Sequence, residues 1–385
     1  MIKVAIDSGS LISGHSIRGI GVMVREQIEA IKSLKDKKIK LDVFGFSTNC
    51  HKLINNQYDI IHYPYLLPFF PTFPKEKYGK KVIVTIQDLI YLIYPKHYPP
   101  GIRRSIYFWR QKQSLKKVDA IITVSETSKK DIIRFLGIPS DKVFVVYLAA
   151  KKNFKKLKIG AWQSKIRNKY KLPKKFALYV GDINYNKNIL NLIKACRIAK
   201  TPLVICGKNA KEVMEKKNEL RNIQAVGIRD VLRFILGKSH PETSHFEKLI
   251  KEFKKGKEDK RIILTGFVPE SDLVAIYNLA SVYIQPSFYE GFGFPVLEAM
   301  ACGCPVVVAR TNSLVEIAGG AALIADSKNP KKIAEKIIEI LENKETKEKL
   351  IESGFENVKK FSWENTAKEM VKIYRFVADS NLEVR

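Results

Sequence analysis

The sequence of 385 residues has little cysteine, a shortage of acidic residues and no long apolar run. Its five cysteines form no Cys-x-x-Cys pair, which argues against a zinc ribbon or a dithiol redox motif and suits a reducing compartment. No window of about 18 residues is free of both charge and proline, so we expect no transmembrane helix. Met1 leads directly into the apolar run IKVAID, so we also expect no signal peptide.

Acidic residues are scarcest in the first 170 residues. There, 32 Lys and Arg stand against 12 Asp and Glu, a net charge of +20, whereas the remainder has 36 against 27, a net charge of +9. A basic half indicates an anionic partner, which could be a phospholipid surface, a nucleic acid or a phosphorylated substrate. A generally lysine-rich composition would give the same excess, so charge alone does not choose among these.

Short apolar runs alternate with amphipathic stretches along the chain, a pattern that predicts parallel βα units and an α/β fold with doubly wound sheets. The charged segment 151–175 interrupts the alternation, and the length exceeds what one core usually serves, so we predict two domains. The predicted strands are 3–7, 41–46, 59–63, 81–86, 119–124 and 142–147 before the interruption, and 176–181, 202–207, 261–266, 281–286, 305–309 and 321–325 after it.

The stretch PSFYEGFGFPVLEAMACGCPVVVA, residues 286–309, places Glu290 and Glu298 around a glycine-rich turn. Its glycines permit backbone turns, and Pro295 suits the first position of a helix. We therefore predict Glu290 on a loop and Glu298 one turn into a helix, with both carboxylates facing one ligand. Carboxylates accept paired hydrogen bonds from vicinal hydroxyls, as in a sugar or a ribose. A helix-dipole role would explain Glu298 alone.

The segment EGFGFPVLEAMACGCPVV, with seven residues between its glutamates, resembles the donor-site signature of glycosyltransferase family 4, the mannosyltransferase-like group 1 enzymes. Weaker likenesses, such as RGIGVMVREQI and YVGDINYNKNILNLIKA, extend over nearly the whole chain. The resemblance implies the GT-B fold: two facing Rossmann-like domains with an interdomain cleft. It implies an acceptor-binding domain at 1–160, a nucleotide-sugar donor-binding domain at 161–362, and a helix at 363–385 that crosses back to the first domain.

The resemblance also implies roles for individual residues. Glu290 would hold hydroxyls of the transferred sugar, Glu298 would accept from the ribose hydroxyls, and Lys187 would neutralise the diphosphate. Gly19 and Gly21 would let a loop of the first domain approach the diphosphate. The backbone that binds sugar or phosphate would be that of Gly291, Phe292, Gly293 and Phe294, whose N–H groups at a helix start can hold an anion.

Two positions depart from the family pattern. Asp182 stands where many relatives carry a basic phosphate clamp, so Lys187 and nearby amides would have to do more. Gln87 stands where relatives often carry a histidine that touches the donor sugar; glutamine can hydrogen-bond there but cannot shuttle a proton. Asp88, the next residue, would orient the loop or the acceptor.

The expected activity is transfer of a hexose, with mannose favoured, from a nucleotide diphosphate sugar to a glycan or lipid-linked acceptor, with retention of anomeric configuration. No cofactor and no metal are expected, because side-chain cations and helix N-termini can offset leaving-group charge. The alternatives are a sugar-nucleotide epimerase or phosphorylase on the same fold, and a non-catalytic basic protein that binds nucleic acid. No nucleic-acid-binding module is recognisable, so we expect no nucleic acid partner.

Three further features leave alternatives open. The aromatic run HYPYLLPFFPTFP, 62–74, would bind a membrane interface if exposed, or pack as a loop if buried. With the basic half, it suggests a cytoplasmic enzyme that docks peripherally on an anionic membrane surface at its inner face. His15 and His62 could approach a ligand or be ordinary loop or core residues. The stretch 208–260, with His240 and His245, is predicted to form solvated helices.

Overall fold

The computed structural model describes residues 1–12, 19–45, 57–70, 72–73, 79–215, 241–258 and 260–379. By its backbone contacts the chain divides into two compact units. Unit 1 contains residues 1–93, 100–149 and the chain from Phe361 onward, and unit 2 contains residues 94–99 and 150–360. Within the described residues, no helix combines the length and the apolar character needed to span a bilayer.

All twelve predicted strands are present, with ends that differ from the prediction by at most two residues. The strands are β1 (Ile2–Asp7), β2 (Ile39–Phe44), β3 (Ile60–Tyr63), β4 (Lys81–Thr85), β5 (Ala120–Thr123), β6 (Val143–Val145), β7 (Ala177–Val180), β8 (Leu203–Cys206), β9 (Ile262–Gly266), β10 (Val282–Gln285), β11 (Val306–Ala309) and β12 (Leu323–Ala325).

Helices cover most of the described chain between these strands. They are α1 (Gly9–Ile12), α2 (Gly19–Ser33), α3 (Ile90–Ile93), α4 (Ile102–Leu115), α5 (Glu126–Leu136), α6 (Trp162–Tyr170), α7 (Ile189–Ile198), α8 (Lys208–Glu215), α9 (Pro241–Glu258), α10 (Glu270–Leu279), α11 (Phe294–Ala301), α12 (Asn312–Ala318), α13 (Pro330–Glu342), α14 (Lys344–Val358) and α15 (Trp363–Asp379). Two short 3₁₀ helices lie at Ser140–Lys142 and Tyr185–Lys187.

Unit 1 contains a six-stranded parallel sheet in the order β2-β1-β3-β4-β5-β6. Its central strands are apolar runs buried on both faces, as parallel strands covered by helices must be. The ends of α5 follow the local sequence signals. Ser125 caps its first turn by accepting from the N–H of Ser128 at 3.1 Å, and Gly137 ends it in the left-handed conformation at φ 71°.

His62 is a core residue of unit 1, which decides between the two alternatives left by the sequence. Its Nδ1 lies 2.8 Å from the hydroxyl of Tyr374 on α15, and its Nε2 lies 2.8 Å from Oγ1 of Thr85. Burial lowers the pKa of His62 to about 3, so the ring is neutral. His62 therefore joins α15 to the sheet, and His15 lies outside the described residues.

The aromatic run 62–74 is mostly buried, so the alternative of a loop packed under its neighbours is the better description. Leu66 and Phe69 are buried, whereas Phe70 is 40% exposed. Phe69 packs its ring against Phe108 of α4 at 5.5 Å between centroids. Residues 71 and 74 lie outside the described part of the chain.

Unit 2 contains the second parallel sheet, in the order β12-β11-β10-β7-β8-β9. The chain runs outward from β7 to β9 on one side and from β10 to β12 on the other. The strand order therefore reverses between β7 and β10, which pair in register with Val282 opposite Ala177. Such a reversal opens a crevice at the carboxyl ends of the two central strands, where open α/β sheets bind ligands.

The carboxyl ends of β7 and β8 approach closely because glycine follows each strand. A Cβ atom on Gly207 would lie 2.2 Å from the carbonyl oxygen of Gly181, so no side chain fits there. Gly181 itself has φ 140°, a conformation that residues with a Cβ atom rarely adopt. The two glycines leave the strand ends bare of side chains beside the crevice.

The prediction that 208–260 forms solvated helices is wrong for α9. Leu249 and Phe253 of this helix are buried in the core of unit 2, and His245 is only 7% exposed. Nε2 of His245 lies 2.9 Å from the carbonyl oxygen of Ile183, and burial lowers the pKa of His245. The many charged residues of this helix made its apolar face hard to recognise in the sequence. His240 lies outside the described residues.

Candidate functional site

The loops that follow β7 and β10 bring two predicted site residues together at the crevice of unit 2. Lys187 lies in the 3₁₀ turn after β7, and Glu290 lies in the loop after β10. The Nζ atom of Lys187 lies 2.8 Å from Oε1 and 2.7 Å from Oε2 of Glu290. The cation predicted to neutralise a phosphate is thus paired with the predicted sugar-binding carboxylate.

Two further donors fix the buried carboxylate of Glu290, which is only 7% exposed. Nε2 of Gln285 donates to Oε1 at 2.7 Å, and Oγ of Ser287 donates to the same oxygen at 2.6 Å. Ser313, at the start of α12, donates to the backbone carbonyl of Glu290 at 2.6 Å. Hydrogen bonds to an ionised group are among the stronger ones in proteins, so this side chain is held firmly.

The sequence did not predict roles for Gln285, Ser287 and Ser313. A signal was present for the first, because Gln285 is a polar residue in the otherwise apolar run SVYIQP at the carboxyl end of a buried strand. The hydroxyl of Tyr283 donates to Oε1 of Gln285, which orients the amide so that its nitrogen faces Glu290. A buried polar side chain at a strand end is a useful pointer to a site.

Tyr98 ties together the two loops that carry Lys187 and Glu290. Its hydroxyl donates to Oδ1 of Asn186 at 2.8 Å and accepts from the backbone N–H of Asn186 at 3.2 Å. The side-chain amide of Asn186 in turn donates to the carbonyl of Tyr289 at 3.2 Å. Asn186 and Tyr289 directly precede Lys187 and Glu290, so the network sets the spacing of the ion pair.

An aromatic cluster surrounds the same turn. The ring of Tyr185 stacks on His97 with centroids 3.3 Å apart and planes 9° from parallel. Phe288 and His245 approach the Tyr185 ring at 5.4 and 5.9 Å. Burial lowers the pKa of His97, and the nearby Lys96 lowers it further, so the ring is neutral at physiological pH. The cluster packs the turn from the side and was not predicted.

Glu298 has a different environment, one turn into α11 as predicted. That helix begins after Gly293, whose φ of 113° reverses the chain, and Pro295 lies in its first turn. Oε2 of the partly buried Glu298 accepts from the hydroxyl of Tyr277 at 2.9 Å. Burial raises the pKa of Glu298 to about 7, against the lowering effect of the Tyr277 hydrogen bond. Glu270 raises it further.

The structure gives the two glutamates separate hydrogen-bonding partners. Glu290 contacts Lys187, whereas Glu298 contacts Tyr277. The rings of Tyr277 and Tyr283 meet at 5.7 Å, so the partner of Glu298 packs on the tyrosine that orients Gln285. The prediction that both carboxylates face one ligand remains a prediction.

The glycine-rich turn between the glutamates is buried. Phe292 is 5% exposed, and its ring meets that of Phe294 edge to face at 5.5 Å. A Cβ atom on Gly293 would lie 2.9 Å from Cδ2 of Leu314, and its positive φ also favours glycine. Gly291 is buried as well. The turn is therefore tightly packed, and the role of its N–H groups toward sugar or phosphate stays a prediction.

Asp182, the departure from the family pattern, is half-buried after β7. The hydroxyl of Tyr179 donates to its backbone carbonyl at 2.5 Å. Burial raises the pKa of Tyr179, and the charges of Glu290 and Asp182 raise it further. The phenol therefore stays protonated and continues to donate to this loop.

The remaining predicted residues belong to unit 1. Gln87 donates from Nε2 to the carbonyl of Pro64 at 3.0 Å, and Oδ1 of Asp88 accepts from the N–H of Ile90 at 3.1 Å, at the start of α3. Gly19 is the first residue of α2 and Gly21 is buried in it. Asp88 thus orients its own loop, while a role for either side chain toward an acceptor stays a prediction.

Across the described residues, no group of three or more His, Cys, Asp and Glu side chains is arranged to hold a metal ion. Cys302 and Cys304 flank the left-handed Gly303 and are buried as free thiols. Burial raises the pKa of Cys304 to about 12 and raises that of Cys302 as well, so both stay protonated. These two cysteines are packing residues.

Comparison with known families shows which family the chain belongs to. The family model described as glycosyl transferases group 1 matches residues 162–357, just over half of the chain. A second model, described as glycosyltransferase family 4, matches residues 24–150. The chain belongs to the group 1 glycosyltransferases.

Relatives of this group 1 glycosyltransferase include several mannosyltransferases. It is 28% identical over 309 residues to the O-antigen chain mannosyltransferase B of Escherichia coli, covering 77% of this chain and 71% of the relative. It is 26% identical over 320 residues to the serotype-specific mannosyltransferase WbdA of Escherichia coli, covering 81% of this chain. The chain spans only 35%, about a third, of the length of WbdA.

Solved structures agree on the fold of this group 1 glycosyltransferase. A sucrose-phosphate synthase from Thermosynechococcus elongatus matches with a TM-score of 0.70 at 20% identity, over 98% of this chain and 99% of that one. HepE of Anabaena, in complex with UDP-glucose, matches with a TM-score of 0.68 at 14% identity, over 98% and 100%. The two parallel six-stranded sheets and these neighbours confirm the predicted GT-B fold class.

Proposed function

We propose that this group 1 glycosyltransferase is a retaining hexosyltransferase that takes mannose from a nucleotide diphosphate sugar. The acceptor in this proposal is a growing polysaccharide or a lipid-linked glycan of the cell envelope. The observation that carries it is the part-buried ion pair of Glu290 and Lys187 at the strand-order reversal of unit 2. The mannose preference draws support from the mannosyltransferases that the chain resembles.

The hydrogen bonds of Glu290 suggest how it would hold the sugar. Its Oε1 accepts from Lys187, Gln285 and Ser287, whereas Oε2 accepts from Lys187. A carboxylate has about four lone-pair positions, so Oε2 has the greater remaining capacity to accept a hydrogen bond. We assign that capacity to a hydroxyl of the transferred hexose, with Lys187 close enough to contribute positive charge at the diphosphate.

We propose that the anomeric configuration is retained without a covalent sugar–enzyme intermediate. A carboxylate whose charge is compensated by a cation and whose oxygens are already hydrogen-bonded is a poor nucleophile, so Glu290 is unsuited to form a covalent sugar intermediate. We propose instead that a departing diphosphate oxygen takes the proton of the acceptor hydroxyl. The bond from the anomeric carbon to the diphosphate breaks as the bond to the acceptor oxygen forms on the same face.

We propose that this step needs no bound metal ion. Lys187 supplies a fixed positive charge, and the N-terminus of α11 after Gly293 presents backbone donors that could stabilise a leaving anion. Glu298 would accept from the ribose hydroxyls of the nucleotide. Gln87 and Asp88 remain candidates on the acceptor side.

A thermal-shift screen with GDP-mannose, UDP-glucose and the corresponding nucleoside diphosphates tests the donor. A ligand at a hundred times its dissociation constant stabilises the native state by about 2.7 kcal/mol, which raises the melting temperature by about 5–10 °C. We expect one nucleotide sugar, a mannose donor, to give this shift. NMR of the product made with an added glycan acceptor then reports whether the anomeric configuration is retained.

The same assays separate the alternatives. An altered sugar formed from the donor alone would indicate an epimerase, and an inverted product would refute retention. Nucleic acid binding that weakens steeply with salt, without any shift from nucleotide sugars, would support the non-catalytic alternative. Loss of the shift on adding a chelator would contradict the metal-independent step.

A further inference from the structure

Helix α4 of unit 1 presents a line of large apolar side chains to solvent. Ile102, Ile106 and Trp109 are 56%, 47% and 62% exposed. At about 100° per residue these three positions fall within an arc of about 60° on the helix surface. A helix of a soluble protein ordinarily turns such a stripe toward its own core, so an exposed stripe marks an interaction surface.

The opposite face of α4 is the one that packs on unit 1. Gln111 and Leu115 are buried, and Nε2 of Gln111 donates to the carbonyl of Pro68 at 2.8 Å. Phe108 packs on the same side against Phe69. The helix is therefore anchored along one side, and its apolar line points away from the unit over about 10 Å of its length.

Basic side chains flank the apolar line, and acidic ones are missing from the surrounding sequence. Arg103 and Arg110 lie on one side of it and Lys116 follows on the other; all three are exposed. Between Asp88 and Asp119 the sequence has seven Lys or Arg residues and no Asp or Glu. This arrangement, apolar in the middle and cationic at the edges, complements an anionic surface with an apolar interior.

Two exposed aromatic residues lie beside α4, next to the side of the helix that packs on unit 1. Phe70, which is 40% exposed, lies under the guanidinium of Arg104 at 5.0 Å from the ring centroid. Tyr91, which is 36% exposed, packs its ring against Phe69 at 6.1 Å. Aromatic and arginine side chains together suit the boundary between lipid headgroups and acyl chains.

We propose that the outer face of α4 docks on the surface of an anionic phospholipid bilayer. The docking face consists of Ile102, Ile106 and Trp109 with the flanking Arg103 and Arg110. The helix lies in the plane of the interface: its apolar line enters the acyl boundary and its cations contact headgroup phosphates. A nucleic acid would match the cations but would leave the isoleucines without a partner, so a bilayer is the better complement.

Flotation with vesicles, in the absence of donor and acceptor, tests this inference separately from the proposed reaction. We expect the protein to float with phosphatidylglycerol-containing vesicles at low salt and to stay unbound with pure phosphatidylcholine. The paired change Ile106→Ser and Trp109→Ser should lower binding at least tenfold. Arg103→Gln with Arg110→Gln should lower it by about fivefold for each cation.

Matched control variants distinguish an effect of the docking face from a general effect of surface charge or hydrophobicity on vesicle binding. Ile159→Ser removes an apolar side chain that is 89% exposed in unit 2, and Lys174→Gln with Lys175→Gln removes two exposed cations there. These variants should bind vesicles nearly as the wild type does. The tryptophan fluorescence of the wild type should shift to shorter wavelength on anionic vesicles, and Trp109→Ser should abolish that shift.

Several results would overturn the inference. The inference fails if the protein floats equally with both vesicle types or binds neither. It also fails if the control variants lose as much vesicle binding as the variants of the docking face. Light scattering that shows a self-associating wild type and a monomeric Trp109→Ser variant, without vesicle binding, would assign the face to a second copy of the chain. Melting curves verify that each variant is folded, which is expected because every altered side chain is exposed.

Discussion

Glu290 and Glu298, with seven residues between them, lie in different electrostatic environments. Glu290 is buried with a cation and two further donors on its carboxylate, so its charge is compensated and its position is fixed. Glu298 accepts from the Tyr277 hydroxyl, and burial raises its pKa to about 7. The comparison teaches that adjacency in a motif does not give two acids the same chemistry.

The difference suggests a division of labour. A compensated, rigid carboxylate is suited to orienting a substrate through the reaction, because its geometry costs no reorganisation at the reacting centre. A carboxylate whose pKa is close to the pH of the solution can lose its proton when a ligand donates a hydrogen bond to it. We therefore expect Glu290 to act mainly on turnover and Glu298 mainly on donor affinity.

The largest expected effect is that of Glu290→Gln on turnover. The amide keeps the shape of the side chain but loses the charge that positions Lys187, so kcat should fall by about 100- to 1000-fold. The dissociation constant of the donor should change by less than about threefold. Steady-state kinetics with titration of the donor by fluorescence or calorimetry measures both quantities.

Glu348→Gln is the matched control for this change, because Glu348 is exposed and pairs only loosely with Lys344 at 3.6 Å. Its kinetics should equal those of the wild type. A Glu290→Gln enzyme that keeps its kcat but loses donor affinity would reverse the roles given to the two glutamates.

An intermediate effect is expected from pH on donor binding through Glu298. If ribose hydroxyls donate to its carboxylate, binding favours the ionised form and lowers the pKa of about 7. Below pH 7 the donor must then displace a proton, so affinity should rise by up to tenfold per pH unit as pH approaches 7 and level off above it. Calorimetry in two buffers of different ionisation enthalpy should show proton release at pH 6.

Glu298→Gln should remove both the proton release and the pH dependence, and should weaken donor binding at pH 8. The same raised pKa has a consequence for stability. The folded state holds the proton more tightly than the unfolded chain, so this group makes the free energy of unfolding fall as pH rises from about 4.5 to about 7. Proton uptake on binding, or a flat affinity profile in the wild type, would contradict the proposed role of Glu298.

The sheets of both units could be predicted from the sequence because strands covered by helices on both faces are continuous apolar runs. The position of Glu298 on a helix was equally readable from local turn chemistry. The pairing of Lys187 with Glu290 was not, because the two residues are 103 positions apart. Only the strand order, with β7 beside β10, brings their loops together.

One wrong prediction and one alternative left open show where sequence patterns mislead. The charge of α9 favoured a solvated helix, although Phe246, Leu249 and Phe253 recur at the spacing of one helical face. The composition of 62–74 fitted an exposed apolar surface and a buried loop equally well; the run is mostly buried, and three exposed apolar residues lie on α4 instead. Which of two apolar segments is covered depends on tertiary packing, which local composition does not contain.

The smallest expected effect concerns Tyr98, in a segment that packs with unit 2 although the residues on either side of it belong to unit 1. Tyr98→Phe removes the hydroxyl from the buried Asn186, which costs about 1–3 kcal/mol of stability. Because Asn186 precedes Lys187, kcat should also fall severalfold with little change in donor affinity. In the Glu290→Gln background the same change should leave kcat nearly unaltered, since the pair is already lost.

Tyr58→Phe is the matched control, because it removes a hydroxyl that donates to Oδ2 of Asp42 at 3.1 Å in unit 1. It should lower the melting temperature without affecting kcat, as a purely structural hydroxyl would. If Tyr98→Phe and the wild type have equal kcat, the hydroxyl of Tyr98 is also purely structural. A loss of kcat that is additive with Glu290→Gln would mean that Tyr98 acts by a route other than the ion pair. If the losses of kcat are not additive, Tyr98 belongs to the hydrogen-bond network that holds Glu290 in place. Glu298 has no part in that network.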